Sequence, residues 1–103
     1  MRYTINMIAG ATLLFAGANM AWAGNPFNGK PLYLKHCAGC HGERGESNLL
    51  GVPNFSRGEI IISSTDPMLV NSIKQGKGVM PGFNGLIKDA DILDVIAYMR
   101  TLF

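Results

Sequence analysis

The stretch Cys37-Ala38-Gly39-Cys40-His41 contains the only two cysteines of the 103-residue chain, and a histidine follows the second of them directly. Two thiols separated by two residues and followed by histidine are the pattern through which c-type haem is attached covalently. The spacing lets both sulfurs reach one edge of the porphyrin and places the imidazole under the ring, where a nitrogen can bind the iron. The motif therefore predicts Cys37 and Cys40 as haem attachment points and His41 as an axial iron ligand.

The N-terminal segment, residues 1–23, has the composition of an export signal. Arg2 is its only charge, an apolar run of 11 residues extends from Ile8 to Ala18, and Ala21-Trp22-Ala23 provides alanines at the positions that a signal peptidase reads. A membrane-spanning helix needs about 20 apolar residues, so the run is too short for one. We expect a cleaved signal peptide over residues 1–23 and a single periplasmic domain over residues 24–103 without a membrane span. An uncleaved membrane anchor is the alternative.

The charge balance of the chain excludes some classes of function. Nine Lys and Arg residues accompany seven Asp and Glu, with no basic stripe and no block of like charge, so nothing favours nucleic-acid binding. A small domain buries little apolar surface, and a haem offers a large apolar disc around which such a chain can fold. Five lysines either form a docking surface for an acidic redox partner or are simply solvated: Lys30, Lys35, Lys74, Lys77 and Lys88.

Local signals predict an all-α fold of three to four short helices joined by loops. The boundaries follow from capping residues, proline, glycine and apolar spacing. The expected segments are a helix over 29–37 capped by Asn28, a loop over 42–58, an extended apolar chain over 60–62, a helix capped within 63–65 that ends before Gly76, and a final helix over 89–103. The final helix is expected to face the core with four residues at helical spacing: Ile92, Ile96, Met99 and Phe103.

Six-coordinate iron with one histidine needs a second ligand on the opposite face of the ring. Met80 stands in a loop between Gly78 and Pro81-Gly82, whose glycines permit close approach to a flat ligand and whose proline stiffens the segment. A thioether is soft and polarizable, which suits iron(II) and raises the reduction potential. Met80 is therefore predicted as the second axial ligand. The other candidates are assigned elsewhere, two methionines to the core and one histidine to the surface: Met68, Met99 and His36.

Together these segments resemble the class I c-type cytochromes, the small haem electron carriers of bacteria and mitochondria. The resemblance covers nearly all of residues 26–103 and rests on three segments: Gly29-x3-Tyr33-x3-Cys37 leading into the cysteine–histidine motif, the Met80-Pro81 loop, and Asp94-Val95-Ile96-Ala97-Tyr98-Met99-Arg100. It implies a cytochrome c-like fold wrapped around one covalent haem c, in which the first and last helices cross with Gly29 and Tyr33 meeting Tyr98. It also implies that the Pro53 carbonyl accepts a hydrogen bond from the proximal histidine, which orients the imidazole.

The motifs and the resemblance lead to one main expectation of function and to several alternatives. With His41 and Met80 closing both axial positions, the protein is expected to carry single electrons between redox partners and not to act as an enzyme. Alternatives are a haem subunit held permanently by a larger oxidoreductase and a gas sensor in which Met80 is displaced. A thiol–disulfide oxidoreductase would place its cysteine pair at the start of a helix after a strand, whereas this pair follows a predicted helix. The cysteines and histidines also lack the spacing of a zinc site.

Overall fold

Residues 24–103 are described by the computed structural model of the protein. They form four α-helices, with one 3-10 turn between the second and the third: α1 Pro26–His36, α2 Ala38–His41, the 3-10 turn Phe55–Arg57, α3 Asp66–Gln75 and α4 Asp89–Met99. Within this range the only β pairing is an isolated antiparallel bridge between Lys77 and Met80. The predicted all-α fold of three to four short helices is confirmed. The predicted signal peptide over residues 1–23 lies outside the described residues.

Helix α1 begins before its predicted start. The Asn25 side chain caps the helix by accepting a hydrogen bond from the Phe27 amide at 3.0 Å, and Pro26 takes a first-turn position where no intrahelical donor is needed. The prediction that Asn28 is the N-cap is therefore wrong. Asn28 lies inside the helix, and its side-chain amide donates to the Asp94 carboxylate of α4 at 2.6 Å. This bond ties α1 to α4.

Helices α1 and α4 cross at Gly29, where their backbones come into direct contact. A Cβ atom at Gly29 would overlap the Asp94 carbonyl and lie 2.8 Å from the Val95 amide nitrogen, so only glycine fits there. One turn further along α1, the rings of Tyr33 and Tyr98 pack with centroids 5.3 Å apart and planes tilted by 57°. The expected contact of Gly29 and Tyr33 with the last helix is confirmed. The crossing sets the direction in which α1 runs into the cysteine motif.

The core is built around the apolar face of α4. Ile92 and Ile96 have no exposed surface and Met99 is buried, which confirms three of the four residues predicted for this stripe. Phe103 is exposed because α4 ends at Met99 and the chain leaves the helix at Arg100. The prediction for Phe103, and for a helix that continues to the end of the chain, is wrong.

The segment over residues 58–64 forms turns, not the extended chain that its three consecutive isoleucines predict. Gly58 adopts a left-handed φ of 76° and Ile60 a φ of 66°, and the Ile62 amide donates to the Gly58 carbonyl at 3.1 Å. The chain therefore folds back on itself. As a result only Ile61 enters the core, whereas Ile60 and Ile62 remain exposed.

Helix α3 begins and ends where the sequence predicts. The Thr65 hydroxyl caps it by accepting a hydrogen bond from the Met68 amide at 3.3 Å, and Gly76, with a φ of 74°, ends it. Leu69 and Ile73 lie one turn apart and face the core. Met68 lies about 100° around the helix from Leu69, and this rotation turns its side chain toward solvent. Met68 is 55% exposed, so its assignment to the core is wrong.

Candidate haem site

The cysteine–histidine motif lies at the junction of α1 and α2. Helix α1 ends at His36. The one-turn helix α2, Ala38–His41, contains the last four residues of the motif, and Cys37 lies directly before it. The Cys37 amide donates to the Tyr33 carbonyl at 2.8 Å, and the His41 amide donates to the Cys37 carbonyl at 3.0 Å. Cys37 is half-buried and Cys40 is exposed, and no disulfide joins them. The structure thus brings the two predicted attachment residues and the predicted iron ligand together on one turn.

A buried hydrogen bond ties the end of α2 back to α1. The Tyr33 hydroxyl donates to the Gly42 carbonyl at 2.7 Å, and the Tyr33 side chain has no exposed surface. Burial is the main cause that raises the pKa of this hydroxyl well above its ordinary range, with further contributions from Cys37 and Glu46. The hydroxyl therefore remains protonated at neutral pH and continues to donate this bond.

His41 is buried, and its ring stacks on Phe55 with centroids 4.5 Å apart and 15° between the planes. Burial lowers the pKa of the imidazole, and the Pro53 carbonyl acts in the opposite direction. Nδ1 of His41 is buried without a hydrogen-bond partner among residues 24–103, so the Pro53 carbonyl faces the ring without completing a hydrogen bond to it. The ring is neutral at neutral pH, which is the form that binds a metal.

The thiol of Cys37 does not have the properties of a redox-active dithiol. Burial raises its pKa to about 11. Thiol–disulfide oxidoreductases depend on the opposite shift, which a helix N-terminus after a strand produces. In the described part of the chain a helix, α1, leads into the motif instead. The site is therefore poorly suited to dithiol redox chemistry.

Met80 lies in a tight turn that is seated on the C-terminal end of α3. Lys77 and Met80 exchange two backbone hydrogen bonds, each 3.0 Å long. A Cβ atom at Gly76 would lie 2.6 Å from the Met80 carbonyl oxygen, and one at Gly82 would lie 2.6 Å from a carbonyl oxygen of α3. These two glycines, Gly76 and Gly82, therefore allow the loop to contact the helix. The Met80 side chain is partly buried against the core.

Two phenylalanines that the sequence analysis did not single out contribute to the site. Phe55 provides the surface on which His41 stacks, and Phe83 follows the Met80 turn and is almost fully buried. The ring of His36 meets Phe83 edge-on with centroids 5.8 Å apart, so the end of α1 contacts the segment after the turn. His36 itself is exposed, as predicted. The only local signal for these aromatic residues is that each lies a few positions after a predicted site residue.

Comparisons with known proteins agree with this geometry. Residues 24–99 match the family described as cytochrome c oxidase, cbb3-type, subunit III. Cytochrome c6 of Synechocystis sp. is 33% identical, over 84% of this chain and 72% of its own length. A solved c-type cytochrome structure, that of KustC0563, has a TM-score of 0.66 at 25% identity and covers 72% of this chain and 95% of its own. The chain belongs to the class I c-type cytochromes.

A second group of relatives of this cytochrome is much longer. The cbb3-type cytochrome c oxidase subunit FixP of Bradyrhizobium diazoefficiens is 30% identical over 72% of this chain, and the match covers 26% of FixP. This cytochrome therefore spans about a quarter of the length of that relative. None of its helices within residues 24–103 is both long enough and apolar enough to cross a bilayer.

The cofactor of this cytochrome is covalently attached haem c, and the residues at the site fit it. Two cysteine sulfurs stand at the attachment spacing, a buried neutral imidazole follows them, and a partly buried thioether lies on a separate loop. Nδ1 of His41 is buried without a hydrogen-bond partner among the residues that the structure describes. Two cysteine sulfurs at this spacing, followed directly by a buried imidazole, fit the covalent attachment of a c-type haem.

Proposed function

We propose that this cytochrome transfers single electrons between redox partners in the periplasm and is not an enzyme. The observation that carries the proposal is the placement of the motif at α2, where two cysteine side chains at the haem-attachment spacing lie beside one buried imidazole. When bound, the haem iron supplies one-electron chemistry by cycling between Fe(II) and Fe(III). In this proposal the mature domain comprises residues 24–103, after removal of residues 1–23 as a signal peptide.

On the proximal side we assign Cys37 and Cys40 to haem attachment and His41 to the iron. The stack on Phe55 holds the plane of the imidazole, so the ring is oriented before any ligand bond forms. Pro53 is assigned to the role of orienting His41, because its carbonyl faces the ring and opposes the effect of burial on the pKa. A hydrogen bond from Nδ1–H to that carbonyl would make the imidazole a stronger donor to iron.

On the distal side we assign Met80 as the second axial ligand. Its support is the tight turn that the glycines seat on α3, together with the partial burial of its side chain against the core. A thioether ligand favours the reduced iron and raises the reduction potential. With histidine and methionine both bound, no coordination position remains for a substrate, which favours electron transfer over catalysis.

The proposed partners are proteins with acidic patches. Among the five lysines of the predicted docking surface, Lys74 forms an ion pair with Asp89 at 3.1 Å, and the other four are exposed: Lys30, Lys35, Lys77 and Lys88. Lys77 opens the turn that carries Met80, so one positive charge lies close to the proposed ligand loop. Association with an acidic partner is expected to weaken as ionic strength rises, because salt screens exposed charges.

A fixed haem subunit of a larger oxidoreductase is the second candidate function. The FixP match favours it, as does a 32% identical match to the cbb3-type cytochrome c oxidase subunit CcoP of Azospirillum brasilense, which covers 27% of that protein. Size-exclusion chromatography of the native protein in mild detergent separates the two functions. A diffusing carrier elutes as a small protein, whereas a fixed subunit elutes with a partner at constant stoichiometry.

The experiment that tests the main proposal is a visible spectrum and an intact mass of the protein exported from a host that can mature c-type cytochromes. We expect a reduced c-type haem spectrum and the mass of residues 24–103 plus one haem. The matched control is the double variant Cys37→Ser/Cys40→Ser, which should carry no covalent haem. A colourless wild-type protein at the bare polypeptide mass contradicts the proposal. A haem-bearing protein that still contains residues 1–23 contradicts only the cleavage of the signal peptide.

A further inference from the structure

We propose that Arg100 and Asp66 form a latch that positions Met80 from the opposite end of α3. Neither residue belongs to the contacts described around Met80, so the latch acts through the helix between them. The inference rests on the proposed role of Met80 as an iron ligand. It goes beyond that role because it states that a remote ion pair, Arg100–Asp66, helps to keep the Met80 sulfur bound to the iron.

The latch joins the end of α4 to the start of α3. Arg100 donates from Nε and from Nη2 to one oxygen of the Asp66 carboxylate, at 3.0 Å and 2.7 Å. The same guanidinium donates to the Ile61 carbonyl at 2.9 Å and to the Ser64 carbonyl at 3.0 Å. A single partly buried side chain therefore holds both the first residue of α3 and the turns that lead into it. Such multiply bonded guanidinium groups are stronger and more directional than a simple surface ion pair.

The other end of α3 holds the Met80 loop. The Phe83 amide donates to the Ile73 carbonyl at 3.0 Å, and the Asn84 amide donates to the Lys74 carbonyl at 3.2 Å. The close contact of Gly82 with the same end of the helix adds to these bonds. The segment directly after Met80 is thus attached to carbonyl groups that α3 itself leaves without intrahelical partners.

Helix α3 transmits the position of one end to the other. It has 10 residues and spans roughly 15 Å as an unbroken α-helix. A second ion pair, between Lys74 and Asp89, ties its C-terminal end to the start of α4, but the Asp89 side chain is 66% exposed. An exposed pair contributes little alone. Loosening the Arg100–Asp66 latch should therefore raise the population of states in which α3 and the attached loop move away from α4 together.

The test uses the ferric holoprotein and added imidazole, which competes with Met80 for iron. The apparent dissociation constant of imidazole depends on the fraction of molecules in which the thioether has left the iron. In Arg100→Lys and in the milder Asp66→Asn we expect imidazole to bind about fivefold to tenfold more tightly than in the wild type, the size expected for loss of charge-assisted hydrogen bonds. The midpoint of urea unfolding should fall in the same variants.

The matched control is Asn28→Ala, which removes the bonds from the Asn28 side chain to Asp91 and Asp94 of α4 and leaves α3 untouched. It should lower the urea midpoint without changing the affinity for imidazole. An equal tightening in Asn28→Ala and Asp66→Asn would overturn the latch, because ligation would then follow global stability. Unchanged affinity in both latch variants would overturn it too.

Met80→Ala separates failure of the latch from failure of the proposed ligation. If this variant binds imidazole no more tightly than the wild type, Met80 is not a ligand and both proposals fall. If it binds more tightly while the latch variants do not, the ligation stands and the latch alone is overturned.

Discussion

His41 and Met80, the two proposed iron ligands, are supported from very different distances along the chain. The supports of His41 come from nearby sequence: the bond from Tyr33 to the end of α2 and the stack on Phe55. The support of Met80 is α3, which is held in turn by Arg100 after the last helix. The proximal side is therefore organised locally, whereas the distal side depends on tertiary packing. The neighbours of Met80, Val79 and Pro81, are exposed, and segments with little buried surface open first, so the distal side should be the labile one.

The largest effect is expected from breaking the proximal side at Cys40. Cys40→Ser removes one of the two thioether bonds, and the remaining one holds the porphyrin at a single point. We expect most of the covalently bound haem to be lost from the exported protein, measured as the ratio of haem absorbance to protein mass. Normal yield of a haem-bearing chain would contradict the attachment scheme.

Removing the Met80 side chain should leave the haem covalently attached but change its coordination and its reduction potential. Met80→Ala should open a coordination position and lower the reduction potential by on the order of 0.1 V, within the roughly 0.8 V range over which axial ligands act. Redox titration and the loss of the thioether-to-iron absorption band in the ferric protein measure the two effects. An unchanged band would show that a residue other than Met80 is the second ligand. The comparison between a locally supported His41 and a remotely supported Met80 would then no longer hold.

A smaller effect is expected where the helix crossing supports the proximal side. Gly29→Ala places a methyl group into the backbone of α4 at Asp94, and we expect a loss of about 3 kcal/mol in the free energy of unfolding. The matched control is Gly39→Ala in α2, where the added methyl group meets nothing within 4 Å. The control should be neutral or slightly stabilising, because alanine favours a helix. Urea unfolding of the holoproteins measures both, and equal losses would show that the crossing is not close-packed.

The smallest effect concerns the Tyr33 hydroxyl and its dependence on pH. Tyr33→Phe leaves the Gly42 carbonyl without its donor, at an expected cost of about 1–2 kcal/mol at neutral pH. Burial raises the pKa of Tyr33 in the folded protein. Above about pH 10 the unfolded chain therefore loses the hydroxyl proton of Tyr33, whereas the folded protein keeps it. Wild-type stability should therefore fall as the pH rises through that range, and the variant should lack this fall. Urea midpoints at neutral and alkaline pH provide the check, and parallel curves for both proteins would contradict it.

The sequence predicts the proximal side better than the distal side for the same physical reason. The cysteine–histidine motif is contiguous, and α1 delivers it as the spacing of Gly29, Tyr33 and Cys37 implies. The start of α1 is harder to predict, because Asn25 and Asn28 are equally good capping residues. In the structure Asn25 caps the helix, and Asn28 lies inside it with its side chain bonded to Asp94. Local pattern cannot distinguish two such asparagines.

Long-range contacts account for the remaining differences. The three isoleucines at 60–62 have strand-like composition, yet the left-handed residues before and among them fold the segment into turns. Met68 and Phe103 fit apolar patterns but lie outside the faces that the helices bury. The bond between Arg100 and Asp66 joins residues 34 positions apart, and neither residue has a local signal for it. Features of this kind follow from packing and not from local preference.

The half-buried position of Cys37 has a consequence for the reactivity of its thiol. With a pKa of about 11, only roughly one molecule in 10⁴ carries the thiolate at pH 7. Disulfide formation proceeds through attack by a thiolate, so the folded polypeptide would close a Cys37–Cys40 disulfide slowly from this side. Burial at the junction of α1 and α2 therefore lowers the reactivity of the Cys37 sulfur as an attacking group, whereas the Cys40 side chain remains exposed.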